Sequence, residues 1–185
     1  MTKIINEYLK NLNQSFTNDN IKQINEFCEI VQNTIKNKNN IFICGNGGSA
    51  ANSIHMANDF NLILINKENY NIFVESLASN QAITTCIAND FGYENVFSKQ
   101  IKVKGKSNDL LVSLSGSGNS KNILNAINTA NAINMNTYSI LGFNGGEAKK
   151  ISKKFFHLDI NDMQISEDAQ HIINHICSQY LNKTL

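Results

Sequence analysis

Apolar residues recur at helical spacing through two segments near the start of the chain, Ile4, Ile5, Tyr8, Leu9 and Leu12, then Ile21, Ile24, Phe27, Val31 and Ile35. Thr17-Asn18-Asp19-Asn20 separates them with turn and capping residues, so residues 1 to 38 read as an N-terminal helical hairpin. From residue 39 the pattern changes to short apolar runs: Ile41 to Cys44, Asn71 to Val74, Leu110 to Leu114, Thr137 to Leu141 and Phe155 to Ile160. Runs of this kind are strands buried on both faces. Helix-length segments alternate with them, at Ser49 to Leu62, Asn80 to Ala88, Tyr93 to Gln100, Asn119 to Ile133, Glu147 to Lys153 and Ile165 to Leu181. The pattern predicts one α/β domain over 1–185, a three-layer doubly wound sandwich with a five-stranded parallel sheet. Ligands of such folds bind at the carboxyl ends of the strands.

Two of those strand ends carry glycine-rich loops. Gly45-Asn46-Gly47-Gly48-Ser49 follows the first strand, and Ser115-Gly116-Ser117-Gly118-Asn119-Ser120 follows the third. Glycine lets the backbone come close to a ligand, and the free amides of a helix start attract an anion. Three hydroxyls in the second loop can complete a phosphate's oxygens without a lysine or arginine. Other readings compete. The stretch Gly45 to Ala50 fits a variant dinucleotide fingerprint with Glu75 as the ribose-binding acid, and both loops can be ordinary tight turns. The hydroxyl-rich second loop, which a dinucleotide site does not need, favours a phosphate ligand.

His55 and Asp59, four apart, share a face of the helix that leaves the first loop. Glu167, His171 and His175 follow one another at steps of four on the last helix. A helical His and Asp at this spacing often form no more than a surface pair. Together the two helices can build a two-histidine, two-carboxylate site for a divalent metal such as zinc. Moving a proton between two sugar carbons needs a base, an acid and a group that polarises the carbonyl, roles open to Asp59, Glu167 and His175. Asn89-Asp90 marks a break before Phe91-Gly92-Tyr93, as a helix stop followed by an N-cap or as a contact for sugar hydroxyls.

With these signposts the chain resembles the sedoheptulose 7-phosphate isomerases, also called phosphoheptose isomerases, of the sugar isomerase domain family. The resemblance covers nearly the whole chain, through the leading helices, the two loops, the His55 helix, Ala88 to Tyr93 and the acidic, histidine-bearing last helix. It implies sugar contacts from Asn46, Gly47, Gly48, Asn89 and Asp90, with Ser49 and Gly116 also among the substrate-binding residues. Phosphate contacts are implied for Ser115, Ser117 and Ser120, and zinc ligation for His55, Asp59, Glu167 and His175. Two of these ligands depart from the family's pattern, where Asp59 is a Glu and Glu167 a Gln. Gly116 stands where Thr is common, and Ile63 where Arg is frequent. The implied activity is conversion of sedoheptulose 7-phosphate to D-glycero-D-manno-heptose 7-phosphate for a bacterial surface polysaccharide, by a homotetramer with sites at subunit interfaces. A non-catalytic relative that binds a partner protein, and an isomerase of another phosphosugar, share the same loops.

Composition narrows the partners. The chain has 185 residues, 42% hydrophobic and 17% charged, which describes a globular protein. A net charge of +1 with signs interspersed gives no footprint for nucleic acid or an anionic membrane, and no apolar run is long enough to span a bilayer. Lys3, Glu7 and Lys10 interrupt the apolar core that a signal peptide needs. Cys28, Cys44, Cys86 and Cys177 are scattered through apolar surroundings with no Cys-x-x-Cys, and read as reduced core residues. A cytoplasmic setting follows from the last two observations.

Overall fold

The computed structural model describes residues 1–67 and 69–185. Helices α1 (Thr2–Ser15) and α2 (Asn18–Lys36) come first. Thr17 and Asn20 cap α2 reciprocally, the Asn20 amide donating to the Thr17 hydroxyl while the Thr17 amide donates to the Asn20 side chain. The stripe expected on α2 is buried at Ile24, Phe27, Val31 and Ile35. Helix α1 buries no residue completely, although Tyr8 and Leu12 pack against the core and the Tyr8 hydroxyl donates to Asp168 Oδ2 at 2.7 Å.

Five parallel strands follow: β1 (Ile41–Gly45), β2 (Val74–Ser76), β3 (Leu110–Ser115), β4 (Asn136–Leu141) and β5 (Lys154–His157), in the spatial order β2-β1-β3-β4-β5. Between them run α3 (Gly47–Lys67), α4 (Gln81–Phe91), α5 (Ser98–Lys104), α6 (Lys121–Ala132) and α7 (Ala148–Ile151), and α8 (Met163–Thr184) comes last. Side chains of a strand alternate between faces. Ile41 and Ile43 accordingly join α2, α3 and α8 in one apolar cluster, while Phe42 and Cys44 join α5 and α6 in the other. This is the three-layer architecture the pattern predicts. The strand order changes direction between β1 and β3, whose carboxyl ends are neighbours through the pairing of Gly45 with Leu114. No helix among the described residues is long and apolar enough to cross a membrane.

Four expectations need correction. The fifth strand ends at His157 rather than Ile160, because its pairing with β4 stops where Leu141 meets His157. The second strand begins at Val74 rather than Asn71, because its ladder starts where Val74 pairs with Ile41 and where Asn61 of α3 exchanges two hydrogen bonds with the Val74 backbone. The segment Tyr93 to Gln100 is not one helix. A 3-10 turn at Tyr93–Asn95, held by the Asn95 side chain on the Phe91 carbonyl, precedes α5. Cys86 is exposed, since Ile87 is the one residue that α4 buries, whereas Cys28, Cys44 and Cys177 are core residues.

Candidate active site

The two glycine-rich loops meet at the switch in strand order and enclose a cleft of about 250 Å³ lined by Asn46, Gly47, Gly48, Ser49, Ser115, Gly116, Ser117, Ser120, Met163 and Glu167. Helix α3 starts at Gly47, whose φ of 54° suits glycine, so its first amides face this space. Asn46 is locked to Asn122 by two hydrogen bonds of 2.9 and 2.8 Å and accepts a third from the Tyr93 hydroxyl. In the second loop Ser115 Oγ accepts from the Gly118 amide and Ser117 Oγ from the Asn119 amide, which leaves both hydroxyl protons for a ligand. Ser120 makes no side-chain cap at the start of α6 and also lines the cleft. Ser49 differs from these serines, because its buried oxygen accepts from Gln170 Nε2 at 3.0 Å and braces the loop against α8.

A larger cleft of about 530 Å³ opens at the other ends of the strands among Asn37, Asn39, Asn108 and Asn136. Ligands of doubly wound sheets bind at the carboxyl ends, and there the smaller cleft has two helix starts aimed into it. The chain has no arginine, so an anion in that cleft is met by amides and hydroxyls, with Lys121 lining the adjoining recess. A side chain at Gly116 would collide with Met163 of α8, which fills the space. Ile63 is buried in the apolar cluster behind α3.

Behind the cleft α3 and α8 pack side by side and bring three histidines together. Ligand atoms of His55, His171 and His175 all lie within 4.8 Å of one another. His55 Nε2 is 3.1 Å from His175 Nε2 and 3.2 Å from Asp59 Oδ2, and the third side of that triangle is 3.9 Å. Donors bound to zinc at about 2.0 Å in a tetrahedron are about 3.3 Å apart, so these three atoms have the spacing of one face of such a site. Asn174, buried on α8, donates to Asp59 Oδ2 at 2.7 Å and orients the carboxylate. Burial, with the neighbouring imidazoles of His55 and His175, pushes the His171 pKa down, which favours the neutral ring that a metal requires.

Of the four ligands that the resemblance implies, the structure gathers His55, Asp59 and His175. The Glu167 carboxylate lies against Gly48 in the cleft, so close that a Cβ on that glycine would overlap both of its oxygens. Asn89 and Asp90 stay exposed on the last turn of α4, bonded to each other at 2.8 Å, outside the residues that line the cleft. Asp90 is no N-cap, because α4 continues through Phe91 and ends at Gly92, whose φ is 88°. The ligand set read from the sequence omits His171, although its step of four from both Glu167 and His175 puts it on their face. Met163, Gln170 and Asn174 lie outside that reading as well. An apolar residue and two amides give no chemical signal until packing aims them.

Residues 6–142 match the family model described as the SIS domain. A phosphoheptose isomerase of Clostridium acetobutylicum is 34% identical over 165 residues, 89% of this chain and 84% of that protein. One from Helicobacter pylori (strain HPAG1) is 36% identical over 143 residues, 77% and 74% of the two chains. The solved phosphoheptose isomerase of Neisseria gonorrhoeae superposes with a TM-score of 0.88 at 23% identity, over 99% of both chains, which shows the fold. On this fold, these loops and these relatives, the chain belongs to the SIS domain family and to its phosphoheptose isomerases.

Proposed function

We propose that the protein converts sedoheptulose 7-phosphate to D-glycero-D-manno-heptose 7-phosphate. The observation that carries this reading is helix α3, whose first turn closes the phosphate cleft against Glu167 and whose third and fourth turns bear His55 and Asp59. Gly47 and His55 are about 12 Å apart along the axis, which leaves room for an open-chain sugar between the loops and the histidines. The second loop, with Ser115, Ser117 and Ser120, would take the phosphate. Asn46 and Gly48 would face the sugar.

The donors at the far end fit zinc, which when bound would act as a Lewis acid on the sugar carbonyl. The carbon chemistry falls to the side chains. A carboxylate takes the proton from C1 of the ketose, the C1–C2 enediol forms as the C2 oxygen gains a proton, and the same carboxylate returns its proton to C2 as the C1 hydroxyl gives one up. Glu167, in the cleft, and Asp59, with His175 beside it, are the groups available for these transfers.

A homotetramer with sites completed at subunit interfaces is part of the proposal. Exposed Ile83 and Phe91 on α4, beside Asn89 and Asp90, and exposed Ile4, Ile5 and Leu9 on α1 support it. The setting would be the cytoplasm and the product would supply heptose for a surface polysaccharide, as the resemblance implies. The test is to incubate zinc-loaded protein with the ketose phosphate in deuterium oxide and follow the C1 and C2 protons by NMR. Exchange and a new aldose phosphate are expected. The absence of both overturns the proposal.

A further inference from the structure

We infer that His171, not Glu167, is the fourth ligand of the metal site, so that this chain holds its metal with three imidazoles and one carboxylate, His55, His171, His175 and Asp59. The inference rests on the metal-dependent isomerase reading above and changes the assignment of two of its residues.

Three observations carry it. The first is that His171 already belongs to the group: its ligand atom lies within 4.8 Å of those of His55 and His175, and the rings of His55 and His171 meet edge to face with centroids 5.2 Å apart. The second is the electrostatics of that group. The Nε2 atoms of His55 and His175 are 3.1 Å apart, a separation bridged either by one ring's Nε2–H donating to the other or by a cation held by both lone pairs. Among the described residues, the ion-pair partners of Asp59 are His55 and His175 alone, and a divalent cation would satisfy all three side chains at once.

The third observation is where Glu167 has gone. One turn before His171 on α8, it reaches forward to the amino terminus of α3, where the partial positive charge of the helix start favours a carboxylate. Coordination by Glu167 would require it to leave that place. His171 needs only a small approach by a ring already beside its neighbours. The exchange also clarifies the chemistry, since a carboxylate outside the coordination sphere keeps its lone pairs for a carbon-bound proton.

The test reads metal rather than turnover. X-ray absorption of the zinc-loaded wild-type protein should show scattering from three imidazoles. In competition with a chromophoric chelator, His171→Gln should weaken zinc binding by about a hundredfold or more, beyond what loss of a ligand's hydrogen-bonding partner costs. Glu167→Gln should change it by less than about threefold, as expected for a side chain outside the coordination sphere. A count of two imidazoles, a strong loss in Glu167→Gln with His171→Gln unaffected, or no zinc bound by the wild type would each overturn the inference. The wild-type measurement decides even if a variant fails to fold. If the metal results hold while the NMR assay with sedoheptulose 7-phosphate shows no exchange, the substrate reading falls and the ligand assignment stands.

Discussion

The Glu167 carboxylate rests on the backbone of Gly48, in the space where any other residue at 48 would carry its Cβ. Gly48 needs no left-handed backbone, and the three atoms nearest a Cβ at that position all belong to the Glu167 carboxylate. The first atoms an alanine at 48 would meet are the far end of a glutamate side chain, which can turn aside. Gly48→Ala is therefore expected to leave the melting temperature within about 2 °C of wild type. With Glu167 displaced from the cleft, kcat should fall by about a hundredfold, the low end of what a positioned acid or base contributes. Unchanged kcat would show that Glu167 does not act from this position.

Gln170 links the two halves of the site. Buried on α8, it donates to Ser49 at the start of α3 and accepts from Asn52 one turn later, both within 3.0 Å. Gln170→Ala would leave two buried polar side chains short of a partner, a loss of about 1–3 kcal/mol for each group left unpaired. Urea denaturation should show a midpoint lowered accordingly.

How much of this was legible beforehand depended on the kind of signal. Alternation and period placed all five strands, because buried parallel strands are continuous apolar runs such as Leu110 to Leu114. The edge strand β2 slipped by three residues, since its limits come from pairing with Ile41 and Ile43 and not from its own apolar content. Both loops were readable from glycine and serine alone. Roles within the loops were not: Ser49 and Ser120 look alike in sequence, yet one is tied to Gln170 and the other lines the cleft without a cap to make. Spacing put Glu167, His171 and His175 on one face, but which of them turn toward His55 depends on how α8 packs on α3. No single-sequence pattern encodes that packing.

Asn174 bears on the metal from outside the coordinating atoms. Its Nδ2 donates to Asp59 Oδ2 at 2.7 Å, while its own Oδ1, buried, has no partner among the described residues. Asn174→Leu keeps the volume and removes the donor. Zinc affinity should drop by about 10- to 100-fold, as for other partners that orient a ligating carboxylate. Calorimetric titration of metal-free protein would check this, and an affinity unchanged within error would show that Asp59 needs no such support.

Tyr8 is the polar tie between α1 and the acidic start of α8. Partial burial, then its hydrogen bond to the Asp168 carboxylate and the charge of that group, push the phenol pKa up to about 12. A folded-state value above the unfolded value of about 10 means that folding favours the protonated phenol. The associated stability is fully present below pH 10 or so and is lost as pH rises through 12. Tyr8→Phe should remove that alkaline loss and lower stability at neutral pH, by about 1.5 kcal/mol or less for a partly exposed bond to a charged group. Phenolate absorbance recorded for wild type and variant across the alkaline range gives the decisive difference. It should contain one tyrosine titrating near pH 12, whereas a midpoint near 10 would mean that α1 is not held to Asp168 in solution.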